Sequence, residues 1–187
     1  MATLDNAIPL LDPGVLSDPA TADAALVEAA RAGDRAAFGQ LYDRYARVVH
    51  GILLSRVPYG EVDDLLQDVF LRALRQLHSL RDATLFSAWL AAIARNRAND
   101  FYRRLRPVDD LLDSLPAHGG SEEAEARAAL EAIRSLPEAY RETLILRLVE
   151  GMTGVEIAER TGLTHGSVRV NLHRGMKALR ERLEGTK

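Results

Sequence analysis

The sequence predicts an all-α fold: two small helical domains joined by a flexible acidic linker. Three observations carry that prediction. Apolar residues recur every three or four positions through two long stretches, the period of a helix buried on one face. Pro107 and the Pro- and Gly-containing segment after it separate those stretches. Aromatics make up 5% of the chain, Ala, Leu and Arg recur throughout, and no strand-like alternation appears, which together favour helix over sheet.

Residues 1–20 hold three Pro and one Gly without a period and read as a flexible acidic N-terminal tail. A helix begins at Thr21 and places Leu26, Val27 and Ala30 on one face before Gly33 interrupts it. A second runs from about Asp34 to Val57 on Phe38, Leu41, Tyr45, Val49 and Ile52, until Pro58 and Gly60 stop it. The third spans about Glu61–Leu77, with Leu65, Leu66, Val69, Phe70 and Ala73 as its apolar stripe. After a short loop, the fourth runs from about Leu85 to Arg104 and buries Phe86, Trp89, Leu90, Ile93 and Phe101. These four form a first domain over 21–106. Residues 107–126 are rich in Asp and Glu, contain no Lys or Arg, and read as the linker. A helix over 124–136 and another that Pro137 opens, ending near Val149 before Gly151, begin the second domain over 127–187.

The 187-residue chain carries a net charge of −3 that hides strong segregation. Residues 95–106 hold Arg95, Arg97, Arg103, Arg104 and Arg106 against Asp100 alone, and residues 164–182 hold Arg169, Arg174, Lys177, Arg180 and Arg182 against Glu181 alone. Two basic patches between acidic segments suggest two surfaces that meet phosphate. Solvated helix ends with cations near their C-termini are the plainer alternative. The chain has no cysteine, which excludes disulfides and thiolate chemistry. No apolar run approaches the roughly 20 residues of a membrane span, and the N-terminus lacks a signal-peptide pattern, so a cytoplasmic protein with no membrane insertion is expected.

Residues 153–182 carry the sharpest signal. Thr153 and Glu156 stand at capping-box spacing and open a short helix, Ala158 is small where a second helix would cross, and Gly162 follows in a tight turn. Thr164 then caps a second helix whose Val168 and Leu172 face inward. Two helices joined steeply by a short Gly turn form a helix-turn-helix, which lays its second helix in a major groove about 12 Å wide. The outward positions there are His165, Ser167, Arg169, Val170, Asn171, His173 and Arg174, with Lys177 further along. Arg pairs with guanine and Asn with adenine through two hydrogen bonds each. An ordinary helical hairpin with a basic face is the alternative; it needs no coincidence of cap, small residue and Gly turn. His165 and His173 lie eight residues apart with no third ligand in view, so no metal or other cofactor is expected.

The stretch from Leu136-Pro137 through Glu150-Gly151, Ile157-Ala158 and Arg174-Gly175 resembles the −35-reading domain (region 4) of extracytoplasmic-function (ECF) sigma factors. EVDDLLQDVFLRAL and FSAWLAAIARNRANDFYRR resemble the same family's −10 domain (region 2), in order and spacing. The resemblance implies a non-enzymatic subunit that binds core RNA polymerase, reads −35 and −10 elements and helps melt promoter DNA. It implies docking on the β′ clamp helices through Asp63, Asp64, Gln67, Asp68 and Arg72, an exposed strip opposite the third helix's apolar stripe. It implies contact with the β flap by region 4, and with single-stranded −10 DNA by Arg81, Asp82, Arg95, Asn96, Asn99, Asp100, Arg103 and Arg104, the loop Leu80–Leu85 forming a pocket for a flipped base. The exposed face of the 165–177 helix would meet duplex −35 DNA. There Val170-Asn171 replaces a commoner Ser-Arg, offering adenine a partner in place of guanine. Control by an anti-sigma factor and a linker passing near the polymerase cleft are further implications.

Two other classes compete with that reading. A conventional helix-turn-helix regulator with a sensing or dimerising first domain would bind a two-fold site without polymerase, and would leave the acidic strip without a role. An enzyme has no candidate site: the sequence holds no Gly-Lys-Ser/Thr phosphate loop, paired-His metal motif or nucleophile elbow.

Overall fold

The computed structural model describes residues 19–104 and 121–184, the side chains of 19 and 121–124 excepted. Eight α-helices make up these residues: α1 (Pro19–Arg31), α2 (Arg35–Leu54), α3 (Val62–Gln76), α4 (Phe86–Arg104), α5 (Ser121–Arg134), α6 (Glu138–Leu148), α7 (Gly154–Thr161) and α8 (His165–Glu184). Short 3₁₀ turns flank α3 and lead into α4. Most of the expected tail and linker, with Arg106, lies outside the described residues. α5 starts at Ser121, three residues ahead of the sequence expectation and within the stretch assigned to the linker.

In the first bundle α2 is the central helix, lying against α1, α3 and α4. Asp34 caps it by accepting from the amides of Ala36 (2.8 Å) and Ala37 (3.2 Å). The helix stops at Leu54, short of Val57, because the Ser55 hydroxyl turns back onto the Ile52 carbonyl and the chain tightens into i→i+3 bonds. Leu41, Val49 and Ile52 on α2 meet Val69 on α3 and Phe86 and Leu90 on α4, all essentially without solvent exposure. Trp89, expected in the core, is only partly buried, its ring 6.0 Å from that of Phe86. Asp23 lies on α1. It is buried, takes a hydrogen bond from the Tyr45 hydroxyl and pairs with Arg44. Burial, then the Asp23 hydrogen bond and charge, push the Tyr45 phenol well above its ordinary range.

The second bundle, α5 to α8, is built on Leu144, Ile145 and Leu146 of α6 with Ile157, Val168 and Leu179. Pro137 precedes the first residue of α6 and its carbonyl accepts from Tyr140 and Arg141.

The two bundles are packed together. α2 meets α6 and α7, and α4 meets α7, so one continuous apolar core runs through both. Close approach is possible because Gly51 of α2 presents no side chain to Leu146: a Cβ there would stand 2.6 Å from Leu146 Cδ2.

Candidate nucleic-acid interface

The helix-turn-helix forms as its residues dictate. Thr153 Oγ1 accepts from the Glu156 amide (3.2 Å), and Glu156 Oε2 accepts from the Thr153 amide (2.8 Å), which closes the capping box. Those Thr153 hydrogen bonds hold the Glu156 carboxyl below its ordinary range. Gly162 ends α7 at φ +75°, a left-handed conformation open to Gly at little cost. Thr164 Oγ1 accepts from the Ser167 amide (3.1 Å) and caps α8. Ile157, Ala158 and Val168 are buried between the two helices. Gly175 lets α8 cross α6 closely, with its would-be Cβ 3.1 Å from Tyr140 and Leu144.

His165, Ser167, Arg169, Val170, His173, Arg174 and Lys177 are all exposed on α8, while Asn171 is partly buried. Ser167 is not wholly free, since its hydroxyl lies 2.8 Å from that of Thr164 in the cap. The result is a rigid 20-residue helix presenting imidazole, hydroxyl and guanidinium groups to one side.

On α3, Asp63, Asp64, Gln67, Asp68 and Arg72 are exposed on the face away from the bundle core. Two of them are tied inward. Asp68 pairs with Arg97 of α4, and Arg72 Nη1 lies 3.9 Å from Asp100 Oδ2. Arg97, counted in the basic patch, is 7% exposed and acts as an internal cation between Asp68 and Asp100.

The residues expected at single-stranded DNA divide four ways. Arg81, Asn96 and Arg104 project freely from the surface. Asp82 caps the turn before α4 by accepting from the Thr84 hydroxyl (2.6 Å) and amide (2.9 Å), which lower its carboxyl; Asp100 accepts from Arg103 (2.7 Å). Arg95 is sequestered: Nη2 and Nε clasp the two oxygens of Glu142 on α6 at 2.6 and 3.1 Å, and Nη2 reaches the Thr161 carbonyl at 3.2 Å. Asn99 lines a cleft of about 160 Å³ between the bundles with Arg56, Tyr102, Glu138 and Arg141.

Glu142 therefore sits between two guanidiniums, Arg95 and Arg56, the latter at 2.9 Å. Burial alone would raise its pKa. The hydrogen bonds and charge of Arg95, then of Arg56, outweigh that and hold it below the ordinary glutamate value. At the far edge Glu150 Oε1 lies 2.6 Å from His50 Nδ1, and Glu150 Oε2 lies beside Arg47. The Glu150 hydrogen bond raises the His50 pKa against the opposing effect of burial, with the charges of Glu150 and Asp63 adding to it.

Residues 41–108 match the Sigma-70 region 2 family, and residues 126–179 match the Sigma-70 region 4 family. The RNA polymerase sigma factor CarQ of Myxococcus xanthus is 34% identical over 165 residues, covering 84% of this chain and 95% of CarQ. The ECF RNA polymerase sigma-E factor of Escherichia coli strain K12 is 31% identical over 180 residues, covering 87% of this chain and 94% of its own. This chain belongs to the ECF sigma factor family. Among solved structures, CnrH in complex with the cytosolic domain of CnrY superposes with a TM-score of 0.63 at 26% identity, covering 89% of this chain and 99% of that one. Sigma factors direct RNA polymerase to promoters and are non-enzymatic initiation factors. In this sigma factor the region 2 match runs from within α2 through α4, and the region 4 match from within α5 to within α8. No described helix is long and apolar enough to cross a membrane.

Proposed function

We propose that this sigma factor reads its promoters in two parts, α8 lying in the −35 major groove and the α4 surface with the Leu80–Leu85 loop holding the opened −10 strand. The observation that carries the reading is the exposed α8 face, on which Arg169, His173 and Arg174 project from a helix that Thr164 caps at its start and that follows the capped α7. Arg169 is the base-reading cation, and Lys177 and Arg174 hold phosphates. The carboxylates Asp63 and Asp64 of α3 are exposed and suit a basic partner surface, the clamp helices of β′, while region 4 meets the β flap. The chain itself turns no substrate over and works in the cytoplasm beside the polymerase.

Control falls to an anti-sigma factor that grips both bundles and hides their polymerase-binding faces. The complex of the similar CnrH with a second protein's cytosolic domain supports that reading. Run-off transcription with purified core polymerase tests the whole. Core binding with promoter-dependent transcripts is expected, and Asp64→Arg should weaken core binding about tenfold or more by placing like charge against the partner. A chain that neither binds core nor starts transcription on selected DNA would overturn it.

A further inference from the structure

The turn of the helix-turn-helix rests on the helix assigned to −10 DNA. A Cβ at Gly162 would stand 2.7 Å from Ala88 Cβ, and Arg95 reaches the Thr161 carbonyl at 3.2 Å. Promoter elements centred at −35 and −10 are roughly 25 base pairs apart, or about 85 Å of duplex at 3.4 Å per pair. Two surfaces in direct contact do not span that distance, so the observed arrangement is a closed one that must open on a promoter.

The ion pairs that close it have one electrostatic sense. Cations of the first bundle (Arg47, His50, Arg56 and Arg95) meet carboxylates of the second (Glu138, Glu142 and Glu150). Glu142 is the centre of this set. Its two oxygens take a forked pair of hydrogen bonds from Arg95, the geometry by which a guanidinium also holds a phosphate. We propose that Glu142 is a built-in phosphate surrogate: it occupies Arg95 in the free chain and holds the two bundles closed, so that the strand-binding surface is masked until the domains part. Arg56 shares the clasp, pairing with Glu142 at 2.9 Å and with Glu138 beside it. Once the bundles separate, Arg95 and Arg56 are both released beside Asn99, and the strand's phosphates replace the carboxylate.

The masking half of this proposal rests on the assignment of Arg95 to DNA; the closure half does not. The chain has no cysteine, so Gln40→Cys with Arg180→Cys gives two unique thiols, one on each bundle, for a donor and acceptor dye. Energy transfer in the free full-length chain should be high and should fall in two independent variants. Glu142→Gln removes the surrogate charge. Gly51→Leu drives a wedge against Leu146 while keeping a strong helix former in α2. Both should also bind a fluorescent oligothymidylate about tenfold more tightly than the parent, the size of one charge-assisted contact. Low transfer in the parent, or transfer unchanged in Gly51→Leu, would overturn the closed state. Open variants that bind the strand no better would overturn masking. If Arg95→Ala leaves strand binding by the open Gly51→Leu chain intact, the DNA role of Arg95 is what fails.

Discussion

Glu142 and His50 set the pH response of this molecule from opposite directions. Glu142 is held below the ordinary 4.5, so its contribution is present above that value and is lost as pH falls through its depressed pKa. His50 is held above the ordinary 6.5, so its contribution is complete below 6.5 and is lost as pH rises through its raised pKa. The folded, closed chain should therefore be most stable in mildly acidic solution. Thermal melts across that range should show stability declining above neutrality, and His50→Gln should flatten the decline. A second residue-scale prediction concerns Gly162. Its φ of +75° and the Ala88 side chain leave no room for a Cβ, so Gly162→Ala should cost about 1–2 kcal/mol from the backbone alone, read by urea denaturation. Gly162 and the Thr153–Glu156 box were legible in the sequence because each acts within a few residues of itself. The Glu142 clasp was not. Arg95 and Glu142 are 47 residues apart, and His50 and Glu150 are 100 apart. Cations with such distant partners leave the same local pattern as cations that face water or DNA. Arg97 is hidden in the sequence for the same reason: five arginines stand in a short run, and only packing separates the buried one from the rest.

At the level of elements, helix periodicity located every helix to within a few residues. The ends moved where local chemistry prevailed, as at Ser55, or where the acidic composition of α5 masked its start. α7 has only eight residues, too few to hold a helix by propensity, and depends on its cap and on burial of Ile157 and Ala158. Thr153→Ala should cost about 1 kcal/mol, and Thr153→Ser should retain most of it, as a shift in the melting temperature of the full chain. α8 is held differently. Its N-terminal cap, its Val168 and Leu179 contacts and the Gly175 crossing leave the Arg169 side free. Arg169→Ala should reduce transcription from −35-dependent promoters about tenfold, at the expense of one base contact, with core binding unchanged.

For the whole molecule, the division into two bundles could be read from the break in periodicity after Arg104. Their mutual packing could not, because a domain interface uses the same apolar and charged residue types as a domain's own core and surface. That interface gives the molecule two functional geometries. In the closed one the bundles share a core and Arg95 is occupied. In the promoter-bound one they read elements set apart along the duplex, and neither basic surface on an acidic chain need bind tightly alone, since polymerase supplies the effective concentration.

The most direct measurement is selection of DNA by holoenzyme reconstituted from core polymerase and the purified chain, run in parallel with Arg169→Ala. The account predicts enriched sequences with two conserved blocks at −35 and −10, the upstream block alone being lost in the variant. A single two-fold symmetric block, enriched equally by the chain without polymerase, would contradict it.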